Sequence, residues 1–396
     1  MLTMKKARKC FWALLAVAAL VLPAASCSPA AQPSGQDGRE LLHLGFALPG
    51  EPRPKSSGTA ESESRISRMD LFVFDSRGLL DLYHPFSPTE ISARSATVSV
   101  RTGMNTVWLV ANVPFREEFL GGLESEDQLK AYVLEGFAGD IPMSTCVQLE
   151  IPEGGLDTPP EFVLSRLVSR IVLGRITNAL QWPNADRTFH LYGAVLCNVV
   201  ATCSLSGPVP SPSWLNREGT RDHRAGQVIG RSYPWYYTET EPQYLERMHL
   251  TDGSGRNLYE LRPQDPALAV PDREDPGLSA CFNLPVQHGE SLTLTAGNVF
   301  YAFPNACAEP NSGWHDEFVE TATVLLVMAD VGGIRYWYPV PLTAGLDKNC
   351  EYVVNLTVTG PGNDDTHWFD RLDKVSMVCS VDVAEWDQSL PVDETI

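Results

Sequence analysis

Hydrophobic and polar positions alternate most regularly near the end of the chain, at residues 352–358 and 375–383. The alternating apolar residues of the first run are Tyr352, Val354, Leu356 and Val358. A period of two in β-branched and aromatic residues is typical of half-buried strands. Gly360-Pro361-Gly362 interrupts the pattern, so the sequence predicts two consecutive strands joined by a loop.

A strand with the same alternation is predicted near residue 40. Its apolar residues are Leu42, Leu44, Phe46 and Leu48. Burying four such side chains contributes roughly 1.5–3 kcal/mol each, or about 6–12 kcal/mol before the cost of ordering the strand. Residues 50–65 follow as polar chain without apolar anchors, which predicts a flexible, exposed loop.

Further strands are predicted from the same periodicity. Residues 69–74 are apolar on nearly both faces, which indicates a central strand. Residues 96–100 and 106–111 are predicted to form a hairpin, and residues 141–150 fit two short strands. Gly332-Gly333 predicts a second hairpin later in the chain.

Two segments have helical features. Ser125 and Gln128 form a capping-box pattern at the start of a short helix predicted over residues 126–135. The spacing of leucine and valine in residues 161–176 also fits a helix, whereas the many β-branched residues there fit a strand. The residues alone leave both interpretations of this segment open.

The length of 396 residues is sufficient for two domains with separate cores. About seven strands are predicted before a boundary near Gln181-Trp182-Pro183-Asn184, which gives domains at residues 41–182 and 183–390. Residues 205–278 form a long proline-rich, charged loop region in the second domain. The predicted chain is therefore mainly β, with a short helix in its first domain.

The first 26 residues have the pattern of a signal peptide. A basic start leads into about a dozen apolar residues, which are too few to span a membrane as a mature helix. The small residues before Cys27 resemble a bacterial lipobox, which predicts cleavage between Ser26 and Cys27 and lipid on Cys27. An ordinary secretory signal with an incidental cysteine is the alternative. Residues 27–40 then form a flexible tether.

The charge and motifs exclude several classes of function. The formal net charge is −19, and removal of the four basic residues of the leader takes it to −23, which disfavours nucleic-acid binding. The cysteines lack a C-x-x-C pair, the eight histidines are dispersed, and no nucleotide-binding or hydrolase motif occurs. We therefore expect no catalytic residues, no cofactor and no bound metal.

Several segments together resemble a known family. They are the strand at 41–48, the two arginines with R-x-x-x-R spacing, the Tyr-Trp-Tyr-Pro hairpin, and an ending with N-x-x-Y, T-G-P-G and V-A-E-W. In this order they are similar to the type V fimbrillins of the Bacteroidales, which are pilus subunit lipoproteins. The resemblance implies two tandem transthyretin-like β-sandwich domains and favours a strand for residues 161–176.

The resemblance also implies a mechanism of assembly. Family members are exported as lipoproteins to the outer membrane, and an arginine-directed protease then removes the first strand. A donor strand of the next subunit fills the vacated groove, and that strand corresponds here to the segment of Tyr352 to Val358. The implied partners are other fimbrial subunits, the outer membrane through Cys27, and a host protein or glycan ligand.

The protease site leaves two alternatives for the subunit. Arg53 lies where the family is cut, but Pro54 follows it, so Arg65 before Ile66 is the better candidate. If neither arginine is cut, the groove stays occupied, and the protein is a terminal subunit at the tip or anchor of the fibre. A surface glycan-binding lipoprotein and a hydrolase are the alternatives from other functional classes.

Overall fold

The computed structural model describes residues 38–49, 62–136, 140–181, 187–210, 279–295, 297–306, 322–363 and 376–386. This part of the chain is mostly strand, with three helices of five or six residues, and it confirms the predicted fold class of mainly β structure in tandem sandwiches. Some predicted features lie outside the described residues: the signal peptide, Cys27, the tether up to residue 37, Arg53 and loop residues 211–278.

The elements are numbered in chain order. The helices are α1 (Pro88–Ala93), α2 (Glu117–Gly121) and α3 (Glu126–Lys130). The strands of the first half are β1 (Arg39–Ala47), β2 (Met69–Phe74), β3 (Leu80–Pro85), β4 (Ser95–Arg101), β5 (Gly103–Ala111), β6 (Val133–Glu135), β7 (Met143–Ile151), β8 (Glu161–Val163), β9 (Ser165–Arg166) and β10 (Ser169–Asn178). The strands of the second half are β11 (Phe189–Cys197), β12 (Thr202–Ser204), β13 (Gly207–Pro208), β14 (Ser279–Val286), β15 (Ser291–Thr293), β16 (Val299–Ala302), β17 (Val324–Val331), β18 (Ile334–Pro341), β19 (Cys350–Val358) and β20 (Met377–Glu385).

The first sandwich packs a three-stranded sheet, in the order β4–β1–β8, against a five-stranded sheet, in the order β3–β2–β5–β7–β9. All six residues of β2 are buried, and β2 pairs with β3 on one side and β5 on the other. The prediction of a central strand at residues 69–74 is therefore confirmed. Apolar side chains from both sheets form one continuous core.

The second sandwich also has two sheets around one core. One sheet has the order β15–β10–β19–β20, with β16 also pairing with β10, and the other has the order β14–β11–β17–β18. Gly332 and Gly333, with φ of 63° and 84°, turn β17 into β18, which confirms the predicted hairpin. Positive φ at both central residues is the requirement that glycine meets in a two-residue hairpin turn.

The predicted hairpin of residues 96–100 and 106–111 is wrong, although both strands exist. β4 pairs with β1 in the three-stranded sheet, whereas β5 pairs with β2 and β7 in the facing sheet. Buried Asn105 stabilises the crossing, since its amide nitrogen donates to the carbonyl oxygens of Arg101 and Gly103, each at 2.9 Å. Alternation identifies a strand but not its partner, so the sequence could not reveal the crossing.

Three local predictions are corrected by the structure. Ser125 and Gln128 form the predicted capping box, but α3 ends at Lys130, and β6 follows because it pairs with β12. One strand, β7 (Met143–Ile151), replaces the two short strands predicted over residues 141–150. Residues 161–176 are mostly strand, as the resemblance implies, but they are divided among β8, β9 and β10, which lie in three different sheets.

The change from one core to the other occurs at the start of β10. Val168 belongs to the first core and Ile171 to the second. After β11 the chain returns, and Val200, Cys203 and Leu205 fill part of the first core. The division into domains at 41–182 and 183–390 stays a prediction.

Candidate functional site: the slot of the first strand

β1 fills a slot in the middle of the three-stranded sheet. It pairs with β4 in the antiparallel sense along seven residues and with β8 in the parallel sense along three. Leu42, Leu44 and Phe46 are buried in the first core, as the alternation predicts. The fourth predicted residue, Leu48, lies just beyond the end of the strand and is only partly buried.

The opposite face of β1 does not contribute to the core. Leu41 is 59% exposed, and exposed His43 bonds through Nδ1 to the hydroxyl oxygen of Thr97 at 2.8 Å. The slot therefore holds a strand by one row of apolar side chains and by the backbone bonds to β4 and β8.

The start of β1 is fixed by an ion pair with the facing sheet. Two guanidinium nitrogens of Arg39 lie 2.8 and 3.2 Å from the carboxylate oxygens of Asp81 on β3. The Asp81 side chain is only 2% exposed and also contacts Arg101 Nε at 2.9 Å. Asp81 therefore keeps a cationic partner even without Arg39.

Glu63 anchors the segment that follows β1. The prediction of a flexible, exposed loop over residues 50–65 is therefore wrong for residues 62–64. Ser62–Ser64 form a single 3₁₀ turn, and Glu63 is 7% exposed. Glu63 Oε1 accepts hydrogen bonds from Arg170 Nε at 2.9 Å and from the Tyr301 hydroxyl at 2.5 Å. The buried carboxylate thus joins the segment to β10 and β16.

The electrostatics of the Glu63 site follow from its burial. Arg170 also forms an ion pair with Glu351 on β19. Burial alone lowers the pKa of Arg170, but the carboxylates of Glu63 and Glu351 outweigh this effect, so its pKa is raised. Burial and the charge of Glu63 also raise the pKa of Tyr301, which keeps its hydroxyl protonated as a donor.

A second arginine connects the segment with the end of β20. Arg166 Nε donates to the carbonyl oxygen of Glu63 at 3.3 Å, and Arg166 Nη2 donates to Ser64 Oγ at 3.4 Å. The guanidinium carbon lies 4.5 Å from the ring centroid of Trp386, directly after β20. Tyr301 stacks on the same ring, with centroids 5.6 Å apart and planes at 15°.

The candidate cleavage residue Arg65 lies between Glu63 and β2. Its side chain is 67% exposed and forms an ion pair with Asp140. The Asn112 amide nitrogen donates to the carbonyl oxygen of Arg65 at 2.8 Å, and Ile66 packs partly buried against the first core. The other candidate, Arg53, lies outside the described residues.

The predicted donor residues are buried within their own chain. Tyr352, Val354, Leu356 and Val358 all point into the second core. Their strand, β19, lies between β10 and β20. β20 is the edge strand of this sheet, and its Met377, Cys379 and Val381 are only partly buried. The donor role of the Tyr352–Val358 residues stays a prediction.

The sequence did not reveal which residues hold the N-terminal segment, by which we mean β1 and the Ser62–Ser64 turn that follows it. Arg166 and Arg170 were visible as the R-x-x-x-R spacing, but nothing in that spacing indicated Glu63 as their common partner. Arg39 and Asp81 are likewise paired only through the fold. Within the described ranges, no cluster of three or more histidine, cysteine, aspartate or glutamate side chains could hold a metal ion.

Solved structures share this fold. A putative cell adhesion protein from Parabacteroides distasonis matches with a TM-score of 0.51 at 14% identity, over 88% of this chain and 99% of that protein. A second such protein from the same organism matches with a TM-score of 0.50 at 13% identity, over 88% and 97% of the two chains. At these identities the likeness shows a common fold.

A fimbrillin from Porphyromonas gingivalis also matches, with a TM-score of 0.48 at 11% identity over 87% of this chain and 97% of that protein. This likeness is too loose to support an argument about function. No protein-family model and no curated protein sequence matches the chain. Among the described residues, none of the helices has the length and apolar character needed to cross a membrane.

Proposed function

We propose that the chain is a structural subunit of a cell-surface fimbria, a type V pilus that serves adhesion. In this proposal it is exported as a lipoprotein, anchored to the outer membrane through Cys27, and assembled by proteolysis and strand exchange with other subunits. The observation that carries the proposal is β1, an N-terminal strand in the middle of a sheet, connected to the rest of the fold through the exposed Arg65.

The burial of β1 supports an exchange of strands. Three of its side chains are fully buried, so removing β1 forfeits about 5–9 kcal/mol of apolar burial. It also leaves backbone groups of β4 and β8 without their strand partner. An empty slot of this kind binds an extended chain with the same alternation by strand addition.

Arg65 suits a protease better than the other candidate. Its side chain is exposed, and the following residue is Ile66 and not proline. A single cut after Arg65 would leave β1 held by non-covalent contacts alone. The motif resemblance and the fold shared with two putative cell adhesion proteins support the same role.

The incoming strand would come from the C-terminal pair of another subunit. Within that pair, β20 is the more readily detached strand, because it lies at the sheet edge and its apolar residues are only partly buried. Extraction of β19 would remove the central strand that joins β10 and β20. We therefore propose that β20 is the first strand to detach and enter the slot of the next subunit.

A terminal subunit at the tip or anchor is the second candidate. The ion pair of Arg65 with Asp140 and the bond from Asn112 to its carbonyl oxygen hold the cleavage segment against the fold, and proteases need an extended, accessible chain. If the bond after Arg65 resists cleavage, the slot stays filled and the subunit cannot polymerise.

Limited trypsin digestion followed by electron microscopy tests the proposal. We expect the wild-type chain to gain a new N-terminus at Ile66 and to form filaments. Arg65→Ala should block both, while Arg77→Ala, which removes an arginine that is also 66% exposed, should change neither. A chain that is cut before Ile66 but stays monomeric would refute the stalk role, and resistance to the cut would favour the terminal subunit.

A further inference from the structure

The end of β20 is held by side chains that also hold the N-terminal segment. Tyr301 uses its hydroxyl for Glu63 and its ring for Trp386. Arg166 uses its nitrogens for Glu63 and Ser64 and its flat face for Trp386. The same two residues therefore contact both the segment before the cleavage residue and the residue that follows β20.

The two ends of β20 differ in how they are fixed. At the first end, the backbone nitrogens of Thr359 and Gly360 both donate to the carbonyl oxygen of Ser376 at 3.0 Å. At the other end, the Trp386 backbone nitrogen donates to the Asn349 carbonyl oxygen at 2.9 Å, and the Trp386 ring lies against Tyr301 and Arg166. The second end thus depends on the side chains that Glu63 positions.

Loss of the segment would affect these partners unequally. Arg170 would retain its ion pair with Glu351 on β19. The buried Tyr301 hydroxyl would lose its carboxylate acceptor, and Arg166 would lose the Glu63 and Ser64 oxygens. A buried hydroxyl without an acceptor is costly, so the Tyr301 side chain would turn toward water and leave Trp386, while Arg166 would be held beside Trp386 by fewer bonds.

We infer that Glu63 is a latch on the C-terminal strand: while Ser62–Ser64 is in place, β20 stays paired, and removal of the segment lets β20 separate from β19, starting at Trp386. The inference rests on the proposed function, because the cut after Arg65 is the event that removes the segment. It adds that one cut both opens the slot of β1 and frees the strand that fills the slot of the next subunit.

Hydrogen exchange of the full chain, followed by mass spectrometry, tests the latch without any assembly. In Glu63→Gln we expect the amides of residues 377–386 to exchange about tenfold faster, the effect of losing one hydrogen bond to a charged group. The amides of β19 that bond to β20 should follow it, whereas exchange in β10, on the other side of β19, should stay unchanged. Glu40→Gln is the matched control, because Glu40 lies in β1 and contacts Gly154, away from the latch.

Tyr301→Phe provides a second variant that keeps the ring on Trp386 and removes only the hydroxyl that reaches Glu63. We expect exchange in residues 377–386 to stay close to that of the wild type in this variant, because no buried hydroxyl is left without an acceptor and the ring still covers Trp386. Unchanged exchange there in Glu63→Gln would overturn the latch. Equal acceleration of β10 and β20 in Glu63→Gln would overturn it too, because the effect would then be a general loss of stability.

The latch and the pilus role can fail separately. Faster exchange of β20 in Glu63→Gln, together with a wild-type chain that stays monomeric after cleavage, would keep the latch and refute polymerisation. Filaments of the cleaved wild-type chain, with unchanged exchange in Glu63→Gln, would keep polymerisation and refute the latch.

Discussion

Arg39 donates two hydrogen bonds to Asp81 across the first sandwich, with nitrogen–oxygen distances of 2.8 and 3.2 Å. The pair links β1 to β3 in the facing sheet. Since Arg101 contacts the same buried carboxylate at 2.9 Å, Asp81 is shared between two guanidinium groups, only one of which belongs to the removable strand.

This sharing predicts non-additive losses of stability. Arg39→Ala and Arg101→Ala should each lower the free energy of unfolding by about 1 kcal/mol, because Asp81 keeps the other arginine. The double variant should lose about 3–5 kcal/mol, because it leaves a buried carboxylate without a cation. Urea denaturation of the four proteins measures the coupling, and a double-variant loss equal to the sum of the single losses would contradict it.

Leucine-to-alanine substitutions on the two faces of β1 should lower the free energy of unfolding by very different amounts. Leu44→Ala should lower the free energy of unfolding by about 2–5 kcal/mol, because it opens a cavity in the first core. Leu41→Ala, on the face away from that core, should change it by less than about 0.5 kcal/mol. Chemical denaturation checks both values. Similar losses in the two variants would contradict the packing of only one face of β1 into the first core.

The contribution of Glu90 to stability should be lost in acid. Hydrogen bonds from the Ser87 backbone nitrogen and hydroxyl, with a smaller effect of His84, hold the pKa of Glu90 below its ordinary value of 4.5. Ionised Glu90 therefore stabilises the fold above that value, and its contribution is lost as the pH falls through the lowered pKa.

Glu90→Gln should accordingly lower the free energy of unfolding by about 0.5–1 kcal/mol at neutral pH. The difference from the wild type should shrink as the pH falls below the lowered pKa. Denaturation curves over this pH range provide the measurement, and Glu153→Gln, at an exposed glutamate, is the control. A difference that stays constant with pH would exclude the charge of Glu90 as its cause.

A side chain larger than hydrogen at position 362 should clash with the neighbouring strand. A Cβ at this position would lie 2.6 Å from the carbonyl oxygen of Trp337 and 3.0 Å from the Tyr338 ring. Gly362→Ala should therefore lower the free energy of unfolding by about 1–3 kcal/mol, while Gly121→Ala, with nothing within 4 Å, should be close to neutral. Thermal unfolding compares the two, and equal melting temperatures would contradict the clash.

Short-range patterns predicted the local structure well. The strand of residues 69–74, the capping box of Ser125 and Gln128, and the turn at Gly332-Gly333 all depend on neighbours within a few residues. Gly362 of the T-G-P-G motif has a long-range reason instead, since Asn363 pairs with Trp337 and brings Gly362 against the Trp337 backbone.

Pairings between distant residues could not be predicted in this way. β4 and β5 alternate like any hairpin, yet they belong to different sheets. Glu63 lies in a polar stretch that looks exposed, and it is buried only because Arg170 and Tyr301 are brought to it from far along the chain. The strand in the candidate slot was predicted from the alternation of Leu42, Leu44, Phe46 and Leu48, and its exchange from the family resemblance, whereas its ionic anchors required the fold.

The return of the chain to the first core has a consequence for how the molecule acquires its structure. Val200, Cys203, Leu205, Tyr301 and Phe303 come from the second half of the sequence, yet they pack among side chains of the first sandwich. A nascent chain that has emerged only through β10 still lacks these five side chains. The first core is therefore complete only after residue 303 has been synthesised.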